Sequence, residues 1–584
     1  MKLAEIAGET TPATLQRLSE HPVWAWATGR ELGWLEAQRS PEAVAAACQA
    51  LPRVAQDVLS LIVSRFRAEH FTAEQLLREA SDCSWSGTEL RLGLGTLHSC
   101  GIVWARQAGW GEQAYLLPET TFPLWVRELW PLEPDPIPAQ LAVTRAPSRR
   151  LSGLLSSELV HAVAALTDSG LSFTRSGVLP KRTLQRMERQ LQLPRDAVEG
   201  LPLLRDPQPA SYPPTISWVL DLCIAYGWLT ACDSGYAFDR AAWLDWLDQG
   251  PQQCESGLVR MLLEECALGS ERLAHPAAAV AGQASGVWYA AEALSDWVSR
   301  AGRVTLLAAE ASCRELLGRM SALGWVELGS LADGKPVYRI LVQAAPEYGD
   351  IAASEPLRIL PNGDLIATRE ASLRARWVLE LTAERVSHDV VTVYRISAAS
   401  IERSRRQGWT AESLIEALEA AADQPLEPAY ASLLREWDAA ASSSGKRATA
   451  DVHVTAGPRD GALPVVSRSE PPGSRPLLQP CGNPTIESIL PDLPRLPTTW
   501  KNQMRRYHPS TAREIVEAAL QRGLPVQIGR EHRLDVLIPE LVQDGEDGWT
   551  VYGRLRQEQE GQVERVRLGP EMWEEMQLLL PSLV

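Results

Sequence analysis

A chain of 584 residues with 45% hydrophobic and 22% charged side chains is too long for one core and has room for about three to five domains of ordinary size. Its net charge of −16 excludes a protein that coats nucleic acid over its whole surface, because phosphate binding needs concentrated positive charge, but a local basic patch is compatible with it. No apolar run reaches the roughly 18 to 20 residues of a membrane span, and the start "MKLAEIAGETTPATLQRLSEHPVWAWATG" has neither a secretory nor a transit-peptide pattern, so a cytoplasmic protein without membrane contact is expected.

Residues 1–50 read as an N-terminal helical segment and 51–135 as a winged-helix-like domain. Within the latter, "AQDVLSLIVSRF" and "TAEQLLREA" predict two helices, with Thr72 as N-cap of the second. A third helix, a glycine, a short strand, a turn and a tyrosine-bearing strand follow in "LGTLHSCGIVWARQAGWGEQAYLLP", residues 94–118. The same order recurs in "VLDLCIAYGWLTACDSGYAFD" (219–239) and "LLGRMSALGWVELGSLADGKPVYRI" (316–340). Gly101, Gly227 and Gly324 fall where each helix is expected to stop on a left-handed residue, and the Gly-rich turns beyond them suit hairpins. Helices followed by a hairpin describe winged helix-turn-helix units, which either set a helix in the major groove or dock proteins. Tyr115, Trp228, Trp325 and Tyr338, at strand positions, read as core residues rather than base-stacking platforms.

Residues 145–250 form a basic helical segment and the second such unit, and 251–345 the third. Between residues 145 and 195 nine basic residues stand against three acidic ones, a local balance of +6 in an acidic chain. On a helix beginning near Pro180, Arg182, Arg186 and Arg189 share one face while Leu184, Met187 and Leu191 turn inward. With Arg175 and Lys181 they make a candidate phosphate-contacting surface, the alternative being a solvated face bearing salt bridges.

Residues 355–440 read as an independent α/β unit. "PLRILPNGDLIAT" alternates into and out of an Asn-Gly turn, Gly408 ends one helix, and Thr410 caps "AESLIEALEAA". The hairpin, "VYRIS" (393–397), "SIERSRRQGWTAESLIEALE" (400–419), "QPLEP" and "LLREW" (433–437) together resemble the helicase-associated domain of XPB-type DNA repair helicases and of stand-alone bacterial helicase-associated proteins. The resemblance covers about 85 residues and departs from the pattern at "QPLEPAY", where proline is expected directly after the leucine. It implies a role beside a separate helicase or in DNA repair. Arg403, Arg405 and Arg406 are its candidate DNA contacts.

Residues 441–484, rich in Ser, Gly, Pro and Ala, are expected to be a flexible linker. The final module, 485–584, combines "STAREIVEAALQRGLPVQI" with strands in "RLDVLIPELVQDGEDGWTVYGRLRQEQEGQVERVRL", which is similar to the small β-barrel of WYL-type domains without their three-letter signature. Before it, Lys501, Arg505, Arg506, Tyr507 and His508 form a basic and aromatic cluster suited either to a phosphate backbone or to docking the barrel. Asp544, Glu546 and Asp547 lack the twelve-residue ligand pattern of a calcium loop and read as a hairpin turn.

An ATP-driven motor needs a P-loop lysine followed by Ser or Thr. Of the five lysines, Lys335 precedes proline and Lys446 precedes arginine, and the other three follow no glycine. Neither Glu-x-Lys, GxSxG, HExxH nor a CxxC pair occurs among the nine cysteines and nine histidines, so no catalytic residue, metal or cofactor is expected. The expected fold class is mainly α with α+β modules: tandem winged-helix units, an α/β helicase-associated domain and a small C-terminal β-barrel-like domain. The expected function is that of a non-enzymatic DNA-binding or helicase-accessory protein whose partners are DNA and a separate helicase or repair protein. The alternatives are a winged-helix transcription regulator with a C-terminal ligand-sensing domain, and a scaffold that contacts only protein.

Overall fold

The computed structural model describes residues 1–107, 112–146 less its final residue, 151, 153–167, 171, 173–174, 178–201, 212–232, 235–344, 354–360, 362–388, 391–444, 476–480, 482–530, 533–545, 548–557 and 563–581. Helix outweighs strand, and the strands fall into several small sheets. The chain forms two compact units, one of residues 1–132, 299–304 and 470–584, the other of 133–298 and 305–469.

In the first unit the helices Pro41–Ala50, Arg53–Arg65 and Gly87–Ser99 bury Trp24, Trp34, Trp104 and Trp125 almost completely. Two edge-to-face pairs, Trp24 with Trp125 at 6.3 Å and Trp34 with Trp104 at 5.6 Å, add a directional term to that burial. Thr72 caps the helix Ala73–Glu79 by accepting from the Gln75 amide. The hairpin Trp104–Gln107 and Gln113–Leu116 gains Phe71–Thr72 on one side and Leu477–Leu478 on the other, so residues near the end of the stretch expected to be a flexible linker supply its fourth strand.

The C-terminal part of this unit is a five-stranded antiparallel sheet covered by the helix Pro509–Arg522. The expected barrel is corrected here: among the described residues Val563–Leu568 and Glu575–Leu578 end the sheet without pairing to each other, and the second of these edges is bridged only at Met576, by Arg505. The helix explains why closure is not needed, because Ile515, Val516 and Ala519 already cover the apolar face made by Val526, Ile528, Leu537 and Val551. Gly545 pairs with Gly548 in the hairpin predicted around Asp544, while Glu546 and Asp547 lie outside the described residues. This part also covers Gly87–Ser99, nine of whose thirteen residues are buried. Thr88 donates to the carbonyls of Arg522 and Gly523 at 2.7 and 2.9 Å, Arg556 pairs with Glu89 at 3.0 Å, and Pro484 lies against Gly95.

In the second unit a helix-rich run ends in a sheet ordered Val143–Arg145, Val326–Ser330, Pro336–Ile340, Trp288–Ala290. The hairpin Leu229–Cys232 and Gly235–Phe238 follows the helix Pro214–Ala225. Gly101, Gly227 and Gly324 have φ of +74°, +75° and +82°, the conformation that ends a helix most cheaply when no Cβ is present. Trp228, Trp325 and Tyr338 are core residues, each about 1% exposed, and Tyr115 stacks on Phe71.

Residues 357–442 build an antiparallel sheet ordered Arg358–Ile359, Asp364–Ala367, Thr392–Arg395, Glu384–His388. The Asn362-Gly363 turn opens it, with Gly363 at φ +82°. The helices Leu373–Thr382, Ala398–Arg405, Ala411–Ala422 and Pro428–Ser444 pack around Leu365, Leu379, Tyr394, Leu414 and Leu418. Each such side chain contributes about 1.5–3 kcal/mol by leaving water.

Candidate nucleic-acid interface

The basic helix runs from Lys181 to Gln190 and begins after Pro180, whose extended backbone precedes its first turn. Its amphipathic pattern decides its orientation. Met187 is fully buried, and the helix packs on Leu155–Thr167. Lys181, Arg182 and Arg189 are exposed and make no ion pair among the described residues. Arg186, one turn along, is partly buried and points to a different environment.

That environment is a cavity of about 360 Å³ lined by Arg186, Gln190, Glu380, Glu384, Arg385 and Arg403. Three guanidiniums from the basic helix, from the strand Glu384–His388 and from the helix Ala398–Arg405 therefore meet in one polar concavity. Arg403 is anchored by donating to the Ala383 carbonyl at 2.6 Å. Arg385 donates to Nδ1 of His161 at 2.6 Å and to the Gln190 carbonyl at 3.4 Å. Glu380 accepts from the Tyr394 hydroxyl at 2.8 Å and faces Nε2 of His161 at 3.4 Å. Planar guanidiniums held from several sides suit bidentate binding of an anion such as phosphate.

Beneath the cavity, His161 and Glu158 are fully buried. The Arg385 guanidinium beside Nδ1 requires a lone pair there, so the ring proton belongs on Nε2, toward Glu380. Burial pushes the His161 pKa below its ordinary value and Arg385 acts in the same direction, against Glu380 and Glu158. The unfolded ring takes up a proton near pH 6.5, which the folded one refuses, so stability is present above that pH and lost below it. Urea unfolding is expected to lose up to about 1.4 kcal/mol per pH unit below 6.5 through this group, and His161→Gln to flatten that slope. An unchanged slope in the variant would show that the ring titrates alike in both states.

Among the other candidates, Arg405 is held by Asp438 at 2.5 Å, and Arg406 is 75% exposed beside Glu402, one turn away. Arg175 lies outside the described residues. Lys501, Arg505 and Arg506 belong to the first unit, where Lys501 donates to the Leu493 carbonyl and Arg505 to Gln503, while Arg506 is exposed. The structure thus joins Arg186 to Arg403 and leaves the third cluster in a separate unit. Sequence reasoning missed Arg385 and His161. Neither belongs to a local basic run, and their meeting across 224 positions leaves no periodic signal.

Residues 357–442, which supply Arg385 and Arg403, match a family described as helicase conserved C-terminal domain. No curated protein matches the chain. The segment carrying half of the cavity is accordingly helicase-related. Among the described residues no helix is long and apolar enough to cross a membrane.

Proposed function

We propose that this chain is a non-enzymatic DNA-binding accessory to a separate helicase, in DNA repair or a related DNA transaction. The observation that carries the reading is the convergence of Arg186, Arg385 and Arg403 on one cavity of the helicase-related segment, beside Lys181, Arg182 and Arg189, which are unpaired among the described residues. In this reading residues 355–440 are an XPB-like helicase-associated domain that tethers or regulates a motor supplied by another chain. The lack of a P-loop lysine in the sequence supports a role without ATP hydrolysis, as does the wholly antiparallel pairing of the sheet in residues 357–442, since P-loops sit between a strand and a helix in parallel sheets.

The helix–hairpin units are read as winged helices serving mainly as scaffold, and the C-terminal sheet and helix as a WYL-like module. The burial of Gly87–Ser99 under residues 484, 522–523 and 556 favours this over an operator-reading regulator, which would need that helix exposed to a groove. Fluorescence anisotropy with single-stranded, duplex and forked DNA at several salt concentrations tests the reading. Binding that weakens steeply with salt is expected. Affinity no tighter than about 10⁻⁴ M for every probe, the nonspecific floor, would sink it in favour of a protein-only scaffold.

A further inference from the structure

A second cavity of the same unit, about 680 Å³ in volume, lies toward the other end of the helix Leu373–Thr382 and takes no part in the site above. Its volume falls within the roughly 300–1,000 Å³ of small-molecule sites. Ala417 and Ala421, a turn apart on Ala411–Ala422, line one side with methyl groups alone, which leaves the space open. Trp409 and Trp377 supply aromatic surface, Arg240 and Arg374 supply positive charge, and Glu355 and Asp423 supply negative charge on the same lining.

Each aromatic is positioned by its surroundings. Trp409 follows Gly408, at φ +89°, and its amide donates to the Ser404 carbonyl at 3.2 Å, so the turn between two helices presents a partly buried indole to the cavity. Trp377 is 4% exposed and lies edge-on to Trp243 at 5.5 Å. Its indole N–H is buried without an acceptor among the described residues, so the ring and not its N–H meets the cavity. Arg240 is exposed and makes no ion pair among the described residues. Arg374 pairs with Asp248 at 3.3 Å, with 42% and 53% of the two side chains exposed, and a pair so exposed is readily exchanged for another anion.

A ligand that fits has a flat, largely apolar body with hydrogen-bond donors for the two carboxylates and an anionic group for the two guanidiniums. The geometry points to a nucleotide-binding site, in which a base stacks on Trp409, turns an amino group to the carboxylates of Glu355 and Asp423, and directs its phosphate to Arg240 and Arg374. The nucleotide is either free or an unpaired position of a strand. Only the second source rests on the nucleic-acid reading above.

The test uses the full chain with two probes, AMP by calorimetry and a short single-stranded oligodeoxyadenylate by anisotropy. Trp409→Ala is expected to weaken binding of at least one probe by roughly 5- to 150-fold, the stacking of one base, with Trp409→Phe recovering most of it. Ala420→Glu, at an exposed position of the cavity wall, places a carboxylate there without disturbing the core and is expected to weaken binding of the same probe. Loss for AMP identifies a free-nucleotide site, and loss for the oligonucleotide alone identifies a strand site. Failure of wild type to bind either probe, or unchanged affinity for both in Trp409→Ala and Ala420→Glu, overturns the assignment. Failure of the α-helical basic surface would instead appear as duplex affinity insensitive to Lys181, Arg182 and Arg189, so the two proposals fail separately.

Discussion

Replacing Lys181, Arg182 and Arg189 together by alanine is expected to weaken binding to duplex DNA about 10- to 100-fold near physiological salt. It is also expected to lower the slope of log affinity against log salt by about 2.7, since each lost phosphate contact removes about 0.9. All three side chains are exposed and unpaired among the described residues, so the fold should tolerate the change, as surface substitutions usually cost within about 0.5 kcal/mol. Arg186→Ala tests a different element, because that guanidinium lines the cavity with Arg385 and Arg403. It is expected to weaken binding with a smaller change in slope than the triple variant. Anisotropy against several probes reads both quantities. If the triple variant binds with unchanged affinity and slope, the basic helix is a solvated face, and any DNA contact must lie elsewhere.

The largest expected loss of stability comes from Glu255→Ala. Glu255 is buried on the helix Pro251–Met261. One carboxylate oxygen accepts from the Ser156 amide and the other from the Trp325 indole, each at 2.6 Å. The first bond caps the helix Leu155–Thr167 from outside its own sequence and places an acidic group at the positive end of its dipole. Burial raises the Glu255 pKa, and the hydrogen bonds from Ser156 and Trp325 and the charge of Arg369 oppose it. With Ser156 0% and Trp325 1% exposed, truncation strands two buried donors at about 1–3 kcal/mol each. A total of about 3–5 kcal/mol is expected in urea unfolding, with faster hydrogen exchange at Ser156. Trp325→Phe removes one donor together with its need for an acceptor and should cost less. A Glu255→Ala variant as stable as wild type, with Ser156 still protected, would refute the capping role.

Glu255 also marks where local reading stops. Its chemistry, a glutamate between Cys254 and Ser256, is that of a surface residue in the sequence, and its two partners lie 99 and 70 positions away. The helix caps were legible because they are complete within four residues: Thr410 accepts from the Ser413 amide as Thr72 does from Gln75. Arg405 shows the intermediate case. Its position on a helix was readable, but its engagement by Asp438, 33 positions on, was not.

By itself the sequence determined the features whose physics is local. These are the left-handed glycines at 101, 227 and 324, the Asn362-Gly363 turn, the basic face of Lys181–Gln190 and the core places of Trp228, Trp325 and Tyr338. Only the tertiary structure decided that Arg186 and Arg403 share a cavity with Arg385, that Leu477–Leu478 pairs with Trp104–Gln107, and that the C-terminal sheet stays open under its helix. A turn or cap is governed by steric and hydrogen-bonding rules spanning a few residues. Convergent charges and sheet edges depend instead on which distant surfaces exclude water together, and no periodicity in the chain encodes that choice.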